Sequence, residues 1–406
     1  MTVFEINGIP YGSTYKIMAG IALVAEAEGI NTITATGYSY HPDKNLPENH
    51  VHIGGFFNKA LHMAFAKLFG IEGYNSVLAT RRLINVIKRS RVDIVHFHNI
   101  HGAYLNFPML FGYLKRERIP VVWTLHDCWN FTGLCPNFSM AKCNKWIAGC
   151  GGCPQCKSTF SGYLVDRSDR MWKKKKEWFT GIERSVIVTP SNWLAELVKQ
   201  SFLKDYPIKV INNGIDLNVF SPKENCRRKL GIPEDKYILL GVAMGWDERK
   251  GLDVFVSLAE RLDERFQIIL IGTNEQVEKR IPGCIRTIRR TQDQTELAEY
   301  YSAADILINP TREDNFPTVN LEALACGTPV ITFDTGGSPE MLDNSCGIVV
   351  PCDDVAELEK RIVMEYEQKS FIRENCRRKA LAYDMNEKFM EYIELYKAIA
   401  KGGGRL

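Results

Sequence analysis

The sequence predicts an α/β protein with two doubly wound domains, each built on a parallel sheet covered by helices. Short runs rich in Val and Ile recur between segments whose apolar residues follow a helical period. These runs are apolar throughout instead of alternating, as in strands buried on both faces. The 406 residues are too many for one ordinary core, and the strand–helix pattern occurs twice.

The predicted elements place one domain in each half of the chain. The predicted strands are TVFEIN, TITATGY, DIVHFHN, PVVWTLHD, SVIVTPS and KVINNG, then YILLGVAM, FQIILIG, CIRTI, ADILINP, PVITF and GIVVP. The predicted helices are 15–28, 57–69, 77–89, 193–202, 252–262, 294–303 and 355–367. Because Asn, Gly and Pro interrupt the periodicity over 213–225, we expect domains over 1–212 and 213–380. We also expect an amphipathic helix within 381–406 to cross back onto the first domain.

The composition argues against several classes of protein. A formal net charge of +3 does not suit a nucleic-acid binder that relies on a strong global field. No apolar run approaches the roughly 20 residues that span a bilayer. The start, MTVFEINGIP, lacks the layout of a secretory signal. We therefore expect a cytoplasmic protein whose twelve cysteines do not form a disulfide framework.

Residues 311–330, TREDNFPTVNLEALACGTPV, place carboxylates directly before and inside a predicted helix. The stretch follows the strand ADILINP, and open parallel sheets bind ligands beyond the carboxyl ends of their strands. A helix N-terminus offers unpaired N–H groups and a positive dipole end, which suit a phosphate. Asp314 and Glu322 then suit hydroxyl groups. The alternative is that Glu313 and Asp314 only cap the helix.

The same stretch resembles the family 4 retaining glycosyltransferases, which have the GT-B fold of two Rossmann-like domains facing a central cleft. The family's hallmark is two Glu residues separated by seven positions, which here reads Asp314 and Glu322, followed by LEALACGTPVITFDTGGSPE. The resemblance is closest over 191–340 and looser over nearly the whole chain. It implies metal-independent transfer of a sugar from a nucleotide-diphosphate sugar of UDP or GDP type. The implied acceptor is a glycan or a lipid-linked molecule in polysaccharide or glycoconjugate biosynthesis.

The resemblance also implies which residues bind the donor. Glu322 corresponds to the ribose ligand, and Asp314 to the carboxylate that contacts the sugar hydroxyls near the reaction centre. Lys250 corresponds to the phosphate-binding lysine, with a solvated lysine at a helix start as the alternative. The family's usual Arg six residues earlier is Met244 here, so Arg249 is the candidate for the missing charge. The remaining donor-binding candidates are Gly12, Ser13, Asn315, Phe316, Thr318 and Val319.

Three histidines follow one strand of the first domain, in VHFHNIHGAYLN. Because side chains alternate along a strand, His96 and His98 share a face, and the spacing does not favour a metal site. The resemblance instead implies that His98, His101 and Asn106 line the acceptor side of the cleft.

The strand that ends in TLHD carries the catalytic candidates of the first domain, His126 and Asp127. The resemblance implies that His126 contacts the donor sugar and assists charge development. Its alternative is a histidine satisfied within the core. A covalent double displacement needs a carboxylate nucleophile, and Asp127 is the nearby candidate. Departure of the diphosphate from the front face of the sugar through an oxocarbenium-like ion pair, supported by His126, is the favoured mechanism.

Five cysteines crowd residues 135–156 inside an expected insert over 128–160. The spacing of Cys150, Cys153 and Cys156, with Gly151 and Gly152 between, is typical of a tetrahedral zinc knuckle. A subgroup of similar bacterial transferases carries four of these cysteines, which implies a structural zinc held by Cys135, Cys143, Cys150 and Cys153. The alternative is a set of reduced cysteines.

Residues 171–179, MWKKKKEWF, interleave lysines with aromatic residues. On a helix this composition is typical of an interfacial membrane segment, which predicts peripheral contact with the inner face of the cytoplasmic membrane. The alternative is a solvated basic helix.

Two other functions remain compatible with the sequence. Met244, Asp314 and Tyr15 depart from the family pattern, so a catalytically impaired scaffold that binds nucleotide sugars is one alternative. A nucleotide-sugar epimerase on the same fold is the other.

Overall fold

The computed structural model describes residues 1–39, 46–47, 49–159 and 162–402. Within them the chain divides into two compact units. The first unit consists of Met1–Asn212 together with the chain from Lys388 onward, and the second consists of Asn213–Glu387. Each unit is a parallel sheet with helices, so the predicted α/β class is confirmed.

The first unit contains seven strands within its described residues. Its elements, in chain order, are β1 (Thr2–Asn7), α1 (Gly12–Ala27), β2 (Asn31–Gly37), β3 (Val51–Ile53), α2 (Phe56–Phe69), α3 (Val77–Arg89), β4 (Ile94–Phe97), α4 (Phe107–Glu117), β5 (Val121–Thr124), α5 (Ser168–Phe179), β6 (Val186–Thr189), α6 (Asn192–Gln200) and β7 (Ile208–Val210). The strands lie in the order β3-β2-β1-β4-β5-β6-β7. The strands β1, β4 and β5 are therefore neighbours, which brings the ends of VHFH and TLHD together.

The second unit contains six strands within its described residues. Its elements are α7 (Cys226–Leu230), β8 (Tyr237–Val242), α8 (Leu252–Arg261), β9 (Phe266–Ile271), α9 (Glu275–Glu278), β10 (Arg286–Ile288), α10 (Gln294–Ala303), β11 (Ile306–Asn309), α11 (Thr318–Ala325), β12 (Val330–Phe333), β13 (Gly347–Val350), α12 (Val355–Gln368) and α13 (Arg373–Leu381). The strand order is β10-β9-β8-β11-β12-β13. The order reverses between β8 and β11, and the loops that follow these two strands carry Lys250 and Asp314.

The last helix, α14 (Met385–Ala400), packs within the first unit from Lys388 onward. Its inward face contains Phe389, Tyr392 and Tyr396, all buried. A Cβ atom added at Gly20 of α1 would lie 2.3 Å from the Phe389 ring, so a glycine is required for this close packing.

None of the described helices combines the length and the apolar character that a transmembrane span requires.

Candidate functional site

The loop after β11 leads into α11, a helix whose first turn contains no acidic residue. Pro317 occupies the N-cap position with an extended backbone and makes no side-chain capping hydrogen bond. Asn320 is fully buried, and its Oδ1 accepts a hydrogen bond of 2.8 Å from Nδ2 of Asn309 at the end of β11. This bond fixes the helix start against the strand end. The positive end of the helix is suited to an anion.

Glu322 lies on the second turn of α11 and is held by two hydroxyl groups. The Tyr301 hydroxyl donates to Oε2 at 2.9 Å, and the Thr318 hydroxyl donates to Oε1 at 3.1 Å. Tyr301 is buried, and both its burial and the nearby Glu322 raise its pKa well above the ordinary value. Tyr301 therefore remains a hydrogen-bond donor that orients the carboxylate.

Lys250 and Asp314 form an ion pair in the second unit. Lys250 Nζ lies 2.6 Å from Asp314 Oδ2, and each side chain is 21% exposed. Gly251 makes this approach possible, because a Cβ atom added there would lie 2.5 Å from the Pro310 carbonyl oxygen, and its φ is +75°. Asp314 therefore does not cap α11 but neutralises the lysine beside it.

Arg249 is bound to the loop that precedes α11. Its guanidinium donates to the Glu313 carbonyl oxygen at 3.3 Å, and its own carbonyl accepts the Arg312 N–H at 2.8 Å. Met244, where the family usually has Arg, is 94% exposed. The structure thus places two cations, Arg249 and Lys250, beside the loop that contains Asp314.

The TGGSPE segment supports the other side of the same loop. A Cβ atom at Gly336 would lie 1.7 Å from the Asp314 carbonyl oxygen, and φ at Gly336 is +56°, so only glycine fits. The N–H of Gly337 donates to the Asn315 carbonyl at 3.1 Å. The Phe316 ring is buried and lies near the Tyr383 ring, so at Phe316 the backbone alone is available to a ligand.

A buried chain of polar groups crosses β1, β4 and β5 in the first unit. His98 Nδ1 lies 3.0 Å from His126 Nε2, and His98 Nε2 lies 3.3 Å from Glu5 Oε2. Burial raises the pKa of Glu5 and lowers the pKa of His98 well below its usual value. Burial also lowers the pKa of His126 to about 4, although Asp127 acts in the opposite direction. At neutral pH these histidines are therefore uncharged.

Asp127 is held by hydrogen bonds at both carboxylate oxygens. The Trp129 N–H donates to Oδ1 at 2.8 Å, and His101 Nε2 lies 3.1 Å from Oδ2. Burial alone would raise the pKa of Asp127, but His101 and the N–H of Trp129 lower it below the ordinary value. Asp127 is thus a carboxylate that orients His101.

His96 makes hydrogen bonds within the core, and Asn106 caps a helix. His96 Nδ1 lies 2.6 Å from the Tyr396 hydroxyl, and Nε2 lies 2.8 Å from the Thr124 hydroxyl. Asn106 is the N-cap of α4, where Oδ1 accepts the Met109 N–H at 3.0 Å. The structure therefore gives Asn106 a capping role, apart from the linked histidines His98, His126 and His101.

Gly12 and Ser13 form the start of the long helix α1. Gly12 has φ +82°, and Ser13 is exposed. Tyr11, at the N-cap position, makes no side-chain capping hydrogen bond, and the first turn has no acidic residue. Tyr15, where relatives tend to have glycine, is buried against the core.

The cysteine-rich insert brings its four candidate ligands into one neighbourhood. The Cys135 and Cys153 thiols share a hydrogen bond, and electrostatic interactions join Cys150 to both Cys143 and Cys153. The Gly133 N–H points at Cys150 Sγ, 3.2 Å away. The Cys156 thiol faces the Tyr163 carbonyl oxygen at 3.6 Å, and it also interacts electrostatically with Cys153. Among the described residues, the group whose ligand atoms all lie within 4.8 Å of one another is Glu5, His96 and His98, so no three of the cysteine sulfurs are that close.

The basic and aromatic run over 171–179 lies mainly inside the protein. Trp172, Trp178 and Phe179 are buried. Lys175 is fully buried, with Nζ 3.1 Å from the centroid of the Trp129 ring and 2.7 Å from the Trp129 carbonyl oxygen. The prediction of an interfacial membrane segment is wrong for these residues, because their aromatic rings pack into the core.

Three residues that support these sites were absent from the sequence-based list. Glu5, Tyr301 and Lys175 are buried next to the candidate residues. A signal existed for Glu5, which is a charged residue inside the otherwise apolar strand TVFEIN. Tyr301 and Lys175 lie in helical segments with neighbours of the same type, and the sequence does not show which copy faces inward.

Two family models match the chain and together cover most of it. Residues 236–367 match the model described as glycosyl transferases group 1. Residues 40–219 match the model of glycosyltransferase family 4. The matches include the Asp314–Glu322 motif in the first case and the His98–His126 region in the second.

The similar curated proteins are also glycosyltransferases. A protein named as a colanic acid biosynthesis glycosyl transferase, WcaC of Escherichia coli K12, is 24% identical over 350 residues, covering 83% of each chain. A D-inositol 3-phosphate glycosyltransferase of Thermobispora bispora is 27% identical over 273 residues. That match covers 61% of this chain and 56% of the relative, so the chain spans little more than half the length of this second relative.

Solved structures share the fold at low sequence identity. Sucrose-phosphate synthase from Thermosynechococcus elongatus has a TM-score of 0.73 at 17% identity, covering 99% of this chain and 100% of the other. Anabaena HepE in complex with UDP-glucose has a TM-score of 0.67 at 15% identity, covering 97% and 100%. The two parallel sheets, the motif around Glu322 and the two family models agree. The chain belongs to the family 4 glycosyltransferases and has their GT-B fold.

Proposed function

We propose that this protein is a retaining, metal-independent glycosyltransferase that uses a nucleotide-diphosphate sugar. The observation that carries the proposal is the N-terminus of α11, which has no acidic residue in its first turn and lies between Asp314 and Glu322 in the sequence. Glu322, already oriented by Tyr301, suits two ribose hydroxyls, and the helix terminus suits the diphosphate. The HepE structures contain UDP and UDP-glucose, which supports a donor of this class.

The proposed chemistry relies on the chain's own cations to stabilise the leaving diphosphate. Lys250 and Arg249 lie beside the same loop and would offset the charge that develops as the sugar–phosphate bond breaks. Asp314, once separated from Lys250, would accept hydrogen bonds from the sugar hydroxyls. Because both oxygens of Asp127 are engaged, we favour departure and attack on one face of the sugar over a covalent intermediate on Asp127.

We propose a glycan or a lipid-linked acceptor in polysaccharide or glycoconjugate assembly, served by His98, His101 and His126. The named role of WcaC in colanic acid biosynthesis supports this choice. A cytoplasmic location, peripheral to the membrane for a lipid-linked acceptor, follows from the same proposal.

The test is turnover of UDP- and GDP-sugars with glycan and lipid-linked acceptors, followed by NMR assignment of the new anomeric centre. Release of nucleotide diphosphate together with a product that keeps the donor's anomeric configuration is expected. An inverted product would overturn the retaining mechanism. A product that forms without an acceptor would indicate an epimerase. Nucleotide binding without turnover of any donor–acceptor pair would favour a catalytically impaired scaffold that binds nucleotide sugars.

The cysteine-rich insert supports a separate proposal of a structural zinc ion. Four partly buried thiols in one neighbourhood, with an N–H directed at Cys150 Sγ, are the donor chemistry that zinc prefers. Cys135, Cys143, Cys150 and Cys153 would hold the ion, which would stabilise the insert and take no part in sugar transfer.

A further inference from the structure

Three titratable side chains on neighbouring strands of the first unit form one hydrogen-bonded row. Glu5 lies within β1, His98 just after β4 and His126 just after β5. Glu5 and His98 are fully buried, whereas His126 is partly exposed. His98 Nε2 lies 3.3 Å from Glu5 Oε2, and His98 Nδ1 lies 3.0 Å from His126 Nε2. The row therefore connects a carboxyl group in the core to an imidazole that solvent can reach.

The contact between the two histidines lies in the plane of both rings. The ring planes of His98 and His126 are inclined by 16°, and the ring centroids are 5.3 Å apart. This separation is close to the largest that two nitrogens 3.0 Å apart allow, so the rings lie end to end. Ring nitrogens carry their hydrogen or their lone pair in the ring plane, so one imidazole donates to the other.

The protonation of Glu5 decides which histidine donates. A neutral imidazole has one N–H donor and one acceptor nitrogen. If Glu5 is a neutral acid, its hydroxyl donates to His98 Nε2, and His98 Nδ1–H donates to His126 Nε2. The ring hydrogen of His126 is then on Nδ1. If Glu5 is ionised, both bonds reverse, and the ring hydrogen of His126 is on Nε2.

The surroundings of Glu5 favour the neutral acid. Burial and the charge of Glu26 on α1 both raise the pKa of Glu5. Its ion-pair partners among the described residues are His96 and His98, and burial lowers the pKa of each, so neither is a cation at neutral pH. The two tyrosines of α14 that interact with Glu5 have raised pKa values and are neutral. Glu5 Oε1 makes no hydrogen bond within the described part of the chain, and an ionised carboxylate would be costly there.

We propose that Glu5 is a positioning residue that, as a neutral acid acting through His98, fixes His126 in its Nδ1–H tautomer. His126 then offers an N–H donor, while its lone pair at Nε2 is engaged by His98. The consequence for the reaction rests on the proposed function: His126 stabilises an oxygen of the sugar or of the acceptor by donating a hydrogen bond, and it does not act as a general base.

A metal ion explains this cluster less well. Glu5, His96 and His98 do place ligand atoms within 4.8 Å of one another. However, His96 Nδ1 lies 2.6 Å from the Tyr396 hydroxyl, and His96 Nε2 lies 2.8 Å from the Thr124 hydroxyl. Both nitrogens of His96 are therefore already engaged in hydrogen bonds, and its one lone pair is not available to a metal.

The test is the tautomer of His126 in the full chain labelled with ¹⁵N-histidine, with no sugar donor or acceptor present. Long-range ¹H–¹⁵N correlations distinguish an Nδ1–H ring from an Nε2–H ring, and His126→Asn identifies which of the eight histidine signals belongs to His126. We expect the Nδ1–H tautomer at neutral pH. The Nε2–H tautomer, or an equal mixture, would overturn the proposal.

Substitutions of Glu5 separate a positioning role from a merely structural one. Glu5→Gln keeps a neutral donor, the amide N–H, opposite His98 Nε2, so the Nδ1–H tautomer should persist. Glu5→Met removes the donor, so His126 should become a mixture of tautomers. Tyr392→Phe is the control, because it removes a buried hydroxyl of the same core that accepts from Thr124 at 3.3 Å and lies outside the row. Circular dichroism should show that all three variants are folded. An unchanged tautomer in Glu5→Met, or an equal change in Tyr392→Phe, would contradict the role of Glu5.

Turnover adds a second measurement. Glu5→Met should lower the kcat of sugar transfer about two- to tenfold, the worth of one hydrogen bond, and should leave the donor KM unchanged. Glu5→Gln should restore kcat. An unaltered kcat in Glu5→Met would overturn the consequence for the reaction. If the unaltered protein transfers no sugar, the proposed function fails, and the NMR measurement still decides whether Glu5 sets the tautomer.

Discussion

Lys250 Nζ lies 2.6 Å from Asp314 Oδ2, so the proposed phosphate ligand and the proposed sugar ligand neutralise each other. A bound nucleotide diphosphate would have to displace this carboxylate from the lysine. The ion pair is partly exposed, and such pairs are worth about 0.2–1 kcal/mol.

This pair predicts opposite effects of one substitution on binding and on turnover. Asp314→Asn should tighten the binding of UDP or GDP by about two- to fivefold, because the competing charge is gone. The same variant should lower the transfer rate, because a sugar contact is lost. Lys250→Met should weaken nucleotide binding at least tenfold, about 1.4 kcal/mol. Titration calorimetry measures the binding, with Asp263→Asn, an exposed carboxylate paired with Arg265, as the control. Wild-type affinity in both test variants would contradict the assignment.

The hydroxyl groups that donate to the Glu322 carboxylate predict that two substitutions raise the donor KM by different amounts. Glu322→Ala should raise the donor KM at least tenfold, about 1.4 kcal/mol, because the ribose contact is lost. Tyr301→Phe keeps the carboxylate but removes the donor that orients it, so a smaller increase is expected. Steady-state kinetics with varied donor separates the two, and Glu299→Gln on α10 serves as the control. A donor KM that does not change in Glu322→Ala would refute the ribose role.

The proposed zinc site predicts a metal content that depends on particular cysteines. Elemental analysis of the chelator-washed protein should find about one zinc per chain, as in closed structural sites. Cys150→Ser should lose the metal and lower the thermal stability of the insert. Cys156→Ser should keep the metal, because its thiol is engaged by the Tyr163 carbonyl oxygen. Zinc-free wild-type protein, or equal loss from both variants, would leave the cysteines as ordinary buried thiols.

The buried histidines predict that the protein loses stability in acid. Burial lowers the pKa of His96 to about 3 and of His126 to about 4, whereas an unfolded histidine titrates near 6.5. As the pH falls from 6.5, the unfolded chain binds protons that the folded chain does not, so the free energy of unfolding decreases. Glu5 opposes this trend, because its raised pKa lets the folded state take up a proton first.

Replacing His96 isolates its contribution to the change of unfolding free energy with pH. In His96→Gln the decrease in unfolding free energy between pH 6.5 and 5 should be shallower by up to about 1.4 kcal/mol per pH unit, the value for one proton. Urea unfolding at a series of pH values measures it, with the exposed His52→Gln as the control. Parallel slopes in His96→Gln and the unaltered chain would show that His96 does not titrate as its burial implies.

The position of the loop before α11 was predictable because its signal is local. A strand, a loop with carboxylates and an apolar helix follow one another within 306–325, and Glu322 lies on that helix. The chain from Glu5 through His98 to His126 was not predictable in the same way. Glu5 lies in β1, and His98 and His126 lie just after β4 and β5. Their contact depends on the order of strands in the sheet, which strand patterns alone do not reveal.

The sequence also did not show which side chains of a helix point into the core. Four consecutive lysines over 173–176 look alike, yet Lys175 is fully buried against Trp129. Lys175, Trp172 and Trp178 all lie on the inward face of α5. A segment whose composition is typical of a membrane anchor is therefore part of the core.

The return of α14 to the first unit has a consequence for biosynthesis. Tyr392 and Tyr396 complete a core whose other members lie within residues 1–212, and the His96–Tyr396 hydrogen bond spans a sequence separation of 300. During synthesis we therefore expect the core of the first unit to stay incompletely buried until α14 has been translated, whereas all of the second unit precedes Lys388. A shortened chain that lacks α14 would leave part of the first unit's core exposed to solvent and to proteolysis.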